Sequence, residues 1–235
     1  MSGGVLKPAN LISAACLLLL AAARLAGANF VEPASLDYAA LVGPPPAAGS
    51  VAARAELAVV LELQALRTPD LARRAGEIER ETFFGFGADV VGPWFTADHL
   101  PRTAALLARV REDFNGVNRL AKARWPRRRP PYVDPRVQPC VETTDSGSYP
   151  SGHGIQASLW AALLAEVLPE HAAGFAARAA ETRRMKLLSG VHFPSDVVAG
   201  QVIGEALAAE MLKSDALRRE LAAVREELGQ ARPRP

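Results

Sequence analysis

The sequence predicts an all-α fold, a single-domain helical bundle, and three observations lead to this prediction. Its 235 residues, 49% of them hydrophobic, are enough to bury one sizeable core. Alanine is abundant, and aromatic residues make up only 6% of the chain. Little of the sequence shows the alternation of β-branched or aromatic residues with polar ones that strands require. We therefore expect helices throughout and no second domain.

The first part of the sequence, residues 1–28, is predicted to be a cleavable signal peptide. Lys7 precedes an apolar run at 11–23, and Arg24 interrupts that run. The run is shorter than the roughly 20 apolar residues that a bilayer-spanning helix needs, so an uncleaved anchor is the weaker interpretation. Small residues of the kind that a signal peptidase reads stand just before Asn29, where the mature chain would begin. We therefore expect a periplasmic or secreted protein.

The next part of the chain is expected to change from extended structure to helix. Residues 29–50 form an extended lead-in in this interpretation, because the Gly-Pro-Pro-Pro run at 43–46 disfavours helix. Helices are expected at 51–66 and 69–86. The second of them starts with a threonine suited to the N-cap and a proline suited to the first helical position.

The middle of the chain is expected to hold one long helix between two irregular segments. A glycine- and aromatic-rich turn is predicted at 83–95, and a helix at 101–124 follows it. Pro126 and Pro130 prohibit regular helix, so the chain as far as Thr144 should be an extended loop.

Three more helices are expected in the last part of the domain. One starts at the Ser151-Gly152 turn, one spans about 170–187, and one starts at Pro194 and continues past Leu212. Apolar residues fall on one face of the first of these helices: Ile155, Leu159, Leu163 and Val167.

The C-terminal residues 214–235 are interpreted as a charged tail, a peripheral helix that frays. They end in Arg-Pro-Arg-Pro, which cannot continue a helix. The sequence has no internal repeat. The predicted helical domain is the part between the lead-in and this tail, residues 51–213.

The net charge gives no indication of nucleic acid or an anionic membrane as a partner. It is +2 for the whole chain, and removal of residues 1–28 with Lys7 and Arg24 would bring it to zero. One stretch is locally basic, which alone is typical of a solvated face: Arg119, Lys122, Arg124, Arg127, Arg128, Arg129 and Arg136, against Asp134.

Only Cys140 would remain in the mature chain, so no internal disulfide can form.

Three short blocks of the sequence have complementary chemistry. They are Lys122-x6-Arg129-Pro130, Pro150-Ser151-Gly152-His153 and His192-x3-Asp196. Each block is weak alone, since Pro-Ser-Gly-His is usually a turn that enters a helix and His-x-x-x-Asp is more often part of a surface helix. Together they supply cations, free backbone N–H groups and two imidazoles, which are needed to hold a phosphate and to break one of its ester bonds.

The first two blocks are predicted to bind an anion. Lys122 near the end of one helix and Arg129 in the loop after it can converge on one anion, and the arginine offers a planar fork for two phosphate oxygens. Ser151 and Gly152 lie at a predicted helix N-terminus, where N–H groups and the helix dipole favour negative charge. His153 falls in the first turn, next to the same anion.

The third block predicts a paired imidazole and carboxylate. Because Pro194 suits the first helical position, Asp196 falls in the first turn and can reach back to His192. This contact would fix the imidazole tautomer and leave the other nitrogen free to attack. We therefore expect the active site at helix N-termini and in the adjoining loops.

No metal site is predicted. The sequence contains no Cys/His/Asp/Glu cluster at the spacing of metal ligands. His99 and His171 are isolated from other ligand types, so both are expected to be surface or packing residues.

The three blocks resemble the class A bacterial non-specific acid phosphatases. These belong to the type 2 phosphatidic acid phosphatase superfamily, which also includes the vanadium haloperoxidases. The family pattern is Lys-x6-Arg-Pro, then Pro-Ser-Gly-His, then Arg-x5-His-x3-Asp, and the resemblance covers roughly residues 55–212.

The resemblance implies a role for each site residue. His192 would be the nucleophile that forms a phosphohistidine, and Asp196 would orient it. His153 would protonate the departing alkoxide and then activate water. The residues that would hold the phosphoryl oxygens are Lys122, Arg129, Ser151, Gly152 and Lys186. No metal or other cofactor is implied.

One departure from the family pattern concerns the third block. Lys186 stands where the family has an arginine, and Met185 stands where a serine usually precedes it. Lysine keeps the charge but loses the bidentate fork. Arg183, three residues earlier, is expected on the same helical face and could substitute.

The sequence therefore predicts a metal-independent acid phosphatase that hydrolyses small-molecule phosphate monoesters. One alternative is a vanadium-dependent haloperoxidase, with vanadate coordinated by His192. The other is a catalytically weakened phosphate-binding relative, for which Lys186 is the only argument. A membrane lipid phosphatase is not favoured, and no stable membrane insertion is expected after signal cleavage, because no apolar stretch after residue 28 is long enough. The resemblance also allows a homo-oligomer.

Overall fold

The structure is a computed structural model that describes residues 29–233, and within that range it contains ten α-helices and no strand. The prediction of an all-α fold is therefore confirmed. The predicted signal peptide, residues 1–28, lies outside the described residues. Between residues 29 and 233, no helix combines the length and apolar character needed to cross a membrane. The helices are α1 (Tyr38–Val42), α2 (Val51–Ala65), α3 (Pro69–Glu79), α4 (Phe83–Val91), α5 (Pro101–Arg124), α6 (Pro130–Val133), α7 (Gly152–Val167), α8 (Ala172–Leu188), α9 (Pro194–Met211) and α10 (Asp215–Ala231).

Several helices begin where the sequence places their N-caps. Ser50 caps α2 by accepting a hydrogen bond from the backbone N–H of Ala53 at 3.1 Å, and Thr68 caps α3 by accepting one from Leu71 at 3.2 Å. These bonds satisfy N–H groups that have no partner inside the helix. The predicted helix at 101–124 coincides with α5.

The segment after α3 differs from the prediction of one helix at 69–86 and a turn at 83–95. Helix α3 ends at Glu79, and the side chain of Thr82 caps a separate helix, α4. Phe86 of α4 is fully buried in the main core. The phenylalanines at 83, 84 and 86 are therefore packing residues of a helix, whereas Trp94 and Phe95 lie in the turn that follows it.

The lead-in, residues 29–50, is less extended than predicted. Asp37 accepts hydrogen bonds from two backbone N–H groups and so caps the short helix α1. Before it, the backbone N–H of Phe30 donates to Asp113 Oδ2 of α5 at 2.9 Å. The lead-in is thus fastened to the long helix.

The C-terminal segment is helical, as predicted, but the prediction that this helix is peripheral is wrong. Residues 215–231 form α10, whose buried residues recur at intervals of three and four and belong to the main core. They are Leu217, Leu221, Val224 and Leu228. The charged residues that suggested a tail occupy the opposite, exposed face of this amphipathic helix.

Helices α7 and α9 approach each other closely because glycines line their contact. A Cβ added to Gly204 of α9 would lie 2.3 Å from the Ile155 carbonyl oxygen of α7, and one added to Gly200 would lie 2.6 Å from the Ser151 carbonyl oxygen. The backbone N–H of Ser151 also donates to the Asp196 carbonyl at 2.8 Å. The N-terminal ends of the two helices are thus held together.

Substitution of alanine for Gly204 should destabilise this contact. The added Cβ would meet backbone that cannot move away unless the helices separate, so we expect the free energy of unfolding to fall by about 1–3 kcal/mol. Gly229→Ala in α10 is the matched control, since a Cβ there would meet nothing within 4 Å. It should be neutral or slightly stabilising. Urea unfolding of both variants measures the difference, and equal stability would contradict a tight contact at Gly204.

Candidate active site

A pocket of about 320 Å³ lies beside the joined N-terminal ends of α7 and α9. The predicted site residues that line it are Lys122, Arg129, Gly152, His153, Lys186 and His192. Ser151 and Asp196 are not part of the lining and are fully buried. The structure therefore brings residues of all three sequence blocks to one place.

His192 presents one ring nitrogen to Arg129 and the other to Asp196. Arg129 Nη1 donates to His192 Nε2 over 3.2 Å, and His192 Nδ1 lies 3.3 Å from Asp196 Oδ2. Because a guanidinium can only donate, Nε2 accepts and Nδ1 carries the ring proton. Burial lowers the pKa of His192 to about 3, and the hydrogen bond and charge of Asp196 offset this only in part. The neutral ring thus keeps Nε2 unprotonated, as a nucleophile requires.

Asp196 is held in its ionised form by a set of donors. Ser148 Oγ donates to Oδ2 at 2.5 Å, as does the backbone N–H of Phe193 at 2.8 Å, and Arg127 Nη1 donates to Oδ1 at 2.7 Å. Burial acts to raise the pKa of Asp196, but His192, Arg127 and Ser148 outweigh it and lower the pKa below its ordinary value. Asp196 can therefore orient His192 and stabilise positive charge on the ring.

Arg127 is a site residue that the sequence analysis missed. Its guanidinium lies 4.0 Å from the centre of the Phe193 ring, and its Nη2 donates to Glu56 Oε2 of α2 at 2.7 Å. Glu56 also accepts from the backbone N–H of Ser195 at 2.6 Å. A chain of ion pairs, Glu56–Arg127–Asp196, therefore connects α2 to the His192 partner. Arg124 and Arg128 of the same basic run are exposed, and nothing in the sequence distinguishes Arg127 from them.

Lys122 and Arg129 bring positive charge to the pocket and also hold its loops. Lys122 Nζ donates to the carbonyl oxygens of Gly147 at 2.6 Å and Pro150 at 2.8 Å. Arg129 Nε donates to the Ser146 carbonyl at 3.0 Å. Burial lowers the pKa of Lys122 to about 8, with the charge of Arg129 acting in the same direction. Lys122 thus stays protonated in acidic solution, where an anion would find two fixed cations.

The N-terminus of α7 offers the pocket less free backbone than predicted. Ser151 Oγ accepts from the Gly154 N–H at 3.2 Å and so caps the helix. Its own N–H is already bonded to the Asp196 carbonyl. Gly152 lines the pocket, and a Cβ there would lie 3.2 Å from Asn118 Oδ1. The predicted contact between a phosphate and this turn therefore depends on Gly152, because Ser151 is buried and does not line the pocket.

His153 and Lys186 lie on the side of the pocket that Glu79 borders. Lys186 Nζ forms an ion pair with the Glu79 carboxylate, and His153 Nε2 lies 3.4 Å from the Glu79 backbone oxygen. Burial and the charge of Lys186 lower the pKa of His153 to about 4, although Glu79 acts against this. Glu79 therefore offsets part of the positive charge of the pocket.

Arg183 does not substitute for Lys186, and the prediction that both share one face is wrong. Arg183 Nη1 donates to Ser158 Oγ at 3.0 Å, and its side chain lines a separate surface cavity that also includes Glu205. The one-turn spacing on α8 leaves Lys186 in the candidate site and Arg183 outside it.

Glu79 and Asn118 are further lining residues that the sequence analysis missed. Asn118 lies one turn before Lys122 on α5, and this spacing could have placed both on one face. Its Oδ1 atom is buried without a hydrogen-bond partner in the part of the chain that the structure describes. Glu79 gives no such signal, because its pairing with Lys186 joins residues that are 107 positions apart.

Removal of the Lys186 ammonium should weaken an anion-binding pocket. For Lys186→Ala we expect kcat/KM for a phosphate monoester to fall about 10- to 100-fold, since a charge-assisted hydrogen bond is lost and Glu79 is left unneutralised. Adding Glu79→Gln should recover part of the loss. Arg183→Ala, from the same helix, is the control and should keep wild-type kinetics. A silent Lys186→Ala would mean that this side chain does not act on the substrate.

His99, His171 and Cys140, which the sequence analysis did not assign to the site, do not line the pocket. Between residues 29 and 233, no group of three or more His, Cys, Asp or Glu side chains is placed to hold a metal ion. His99 is exposed, with Nδ1 3.0 Å from the Trp94 carbonyl. Cys140 is a free, half-buried thiol that packs near Met185 and Leu188.

Comparison with known proteins identifies similar sequences and folds. A profile of the PAP2 superfamily matches residues 105–219, which include all three blocks. An acid phosphatase of Zymomonas mobilis is 34% identical over 139 residues, which are 57% of this chain and 52% of that protein. A non-specific acid phosphatase of Salmonella typhimurium is 41% identical over 83 residues, 35% of this chain and 33% of that protein. The chain thus spans about half and one third of the lengths of these relatives.

A solved structure has a similar arrangement of helices. The transmembrane PAP2-type phosphatidylglycerolphosphate phosphatase from Bacillus subtilis superposes with a TM-score of 0.54 and 21% sequence identity. The match covers 72% of this chain and 89% of the other. At this identity, the likeness concerns the arrangement of the helices.

Proposed function

Since the chain belongs to the PAP2 superfamily, we propose that it is an acid phosphatase that hydrolyses phosphate monoesters through a phosphohistidine. The observation that carries this proposal is the state of His192. Its Nε2 atom accepts a hydrogen bond from Arg129 and is therefore unprotonated in a pocket whose other cationic lining residues are Arg111, Lys122 and Lys186. A basic nitrogen surrounded by cations is suited to attack an anionic phosphorus centre.

The proposed reaction has two steps. In the first, the Nε2 lone pair of His192 forms a bond to phosphorus while the bond from phosphorus to the ester oxygen breaks, and His153 gives its proton to the departing alkoxide. In the second, a water oxygen forms a bond to phosphorus while the bond from phosphorus to Nε2 breaks, and His153 takes a proton from that water. Phosphate leaves and both imidazoles return to their starting states.

The cations stabilise the charge that develops in both steps. A phosphoryl-transfer transition state spreads negative charge over the equatorial oxygens. Lys122 and Arg129 are held by loop carbonyls, so little reorganisation is needed to meet that charge. Asp196 stabilises the positive charge on His192 while the phosphorus–nitrogen bond exists. In this proposal protein side chains do the work that a metal ion does elsewhere.

The decisive experiment is turnover of p-nitrophenyl phosphate by the purified protein with a chelator present. Equal turnover with and without the chelator supports a metal-independent phosphatase. A parallel bromide-oxidation assay with added vanadate tests the haloperoxidase alternative, and halide oxidation without ester hydrolysis would favour it. Tight binding of inorganic phosphate without turnover of any ester would favour the weakened relative.

The pH dependence should reflect the two imidazoles. Attack needs neutral His192, which prevails above its pKa of about 3, and proton donation needs charged His153, which prevails below its pKa of about 4. We therefore expect a bell-shaped profile of kcat/KM with an optimum below neutrality. A bound phosphate dianion should raise the pKa of His153, so the alkaline limb of kcat should lie at higher pH than that of kcat/KM. Activity that still rises above about pH 8 would contradict this pairing of roles.

We also propose that residues 1–28 are a signal peptide and that the mature enzyme is periplasmic or secreted. The short apolar run after Lys7 and the small residues before Asn29 support this. N-terminal sequencing of the protein isolated from a periplasmic extract should start near Asn29. A start at Met1 would contradict cleavage.

A further inference from the structure

A second pocket of about 460 Å³ adjoins the candidate active site. The two pockets share three lining residues, Arg111, Phe114 and Gln156, so they lie directly next to each other. The shared residues come from α5 and α7, which form the two long walls. The second pocket therefore extends the phosphate site along the groove between these helices.

Each wall changes from polar to apolar along the groove. On α7, residues at intervals of three and four place His153, Gln156 and Trp160 in sequence along the groove. On α5, Asn118 borders the first pocket, Phe114 borders both, and Leu107 borders only the second. A molecule that extends from His153 along the groove would thus leave polar surroundings and meet aromatic and aliphatic side chains.

The second pocket has two charged lining residues, Glu81 and Arg111. Arg111 also lines the first pocket and therefore lies where the two pockets meet. Glu81 is already paired with Arg178, a buried arginine, so it is not free to bind a cationic group. Phe83 and Leu159 complete its apolar surface.

The direction of the reaction relates the second pocket to the substrate. In an in-line displacement, the attacking nitrogen and the departing oxygen lie on opposite sides of phosphorus. With His192 as the nucleophile and His153 as the proton donor, the alcohol leaves on the His153 side. Since α7 carries His153 at the start of the groove, the alcohol points towards Gln156 and the apolar region beyond it.

We propose that the second pocket binds the alcohol part of the substrate and selects phosphate monoesters whose alcohol carries an extended apolar chain or an aromatic ring. This inference rests on the proposed phosphatase function. Burial of the chain between α5 and α7 would remove apolar surface from water in the transition state as well as in the bound substrate. Short or fully polar alcohols would leave the pocket solvated and gain nothing from it.

The test compares ethyl phosphate with hexyl phosphate. The two alcohols have similar acidity, so a difference in kcat/KM reports binding of the longer chain rather than ease of bond cleavage. We expect hexyl phosphate to be preferred about 10- to 100-fold. Equal kcat/KM for the two esters in an active enzyme would overturn the inference and leave the proposed function intact. No turnover of either ester or of p-nitrophenyl phosphate would instead count against the proposed function.

A pair of variants of α5 locates the binding of the chain. Ala108 lines the second pocket and is exposed, so Ala108→Trp should fill that pocket without disturbing the core. The ratio of hexyl to ethyl kcat/KM should then fall towards one. Ala105→Trp is the control, because Ala105 is exposed on the same helix and lines neither pocket. It should keep the wild-type ratio. A ratio that survives Ala108→Trp would place the chain elsewhere and overturn the inference.

Discussion

Replacement of His192 by alanine should abolish the phosphoenzyme and reduce kcat by about 10³-fold or more. The remaining side chains would still bind the phosphate, because Lys122 and Arg129 are held by loop carbonyls rather than by His192 alone. The loss should therefore fall on kcat more than on KM. No other imidazole occupies the position from which Nε2 attacks, since His153 lies on the opposite, leaving-group side in the proposed reaction.

Rapid-quench trapping measures this directly. Labelled substrate is mixed with enzyme, quenched in alkali, where a phosphorus–nitrogen bond survives, and the protein-bound label is counted. His99→Ala, a change at an exposed histidine outside the pocket, is the matched control and should trap the wild-type amount. Label on the His192→Ala protein at the wild-type level would remove His192 from the mechanism.

Replacement of His153 by alanine should have an effect that depends on the leaving group. General acid catalysis helps most when the departing oxygen is basic, so we expect alkyl phosphates to lose about 10²- to 10⁴-fold in kcat/KM. p-Nitrophenyl phosphate releases a weakly basic phenolate and should lose much less. The phosphoenzyme should still form from that ester, because His192 and its partners are unchanged.

A series of esters with graded leaving-group acidity checks the second prediction. The plot of log kcat/KM against the pKa of the alcohol should become steeper in His153→Ala than in the wild type. His99→Ala again serves as the control and should keep the wild-type slope. Equal losses for all esters would show that His153 does not donate the proton, and they would shift its role to binding.

The helices could be predicted where local signals and burial agree. Pro101 and the periodic apolar residues up to residue 124 give α5 correctly, and Ser151 marks the start of α7 as its N-cap. The errors arose where tertiary packing decides. From the sequence, Phe86 is predicted to belong to an aromatic turn, but in the structure it is buried in the main core. The leucines of α10 are predicted to belong to a tail, but α5 and α7 cover them.

The candidate site could be predicted from three blocks because each block is short and local. His192 and Asp196 are only four residues apart, and the cap at Ser151 follows from the sequence around it. The missed residues act through partners that are distant in sequence. Arg127 is bonded to Asp196, which is 69 positions away in sequence, and Glu79 is bonded to Lys186, which is 107 positions away. Neither pairing has a local signal.

The connection of Glu56 through Arg127 to Asp196 makes activity depend on a weakly anchored element. Helix α2 contributes only Val60 as a fully buried residue, and many of its other side chains are exposed. Because sparsely buried elements open at a lower free energy than the core, we expect α2 to open before the rest of the fold. Each time α2 opens, Arg127 loses its outer carboxylate and the electrostatic balance around Asp196 changes. On heating or on addition of denaturant, catalytic activity should therefore be lost before the helical core unfolds.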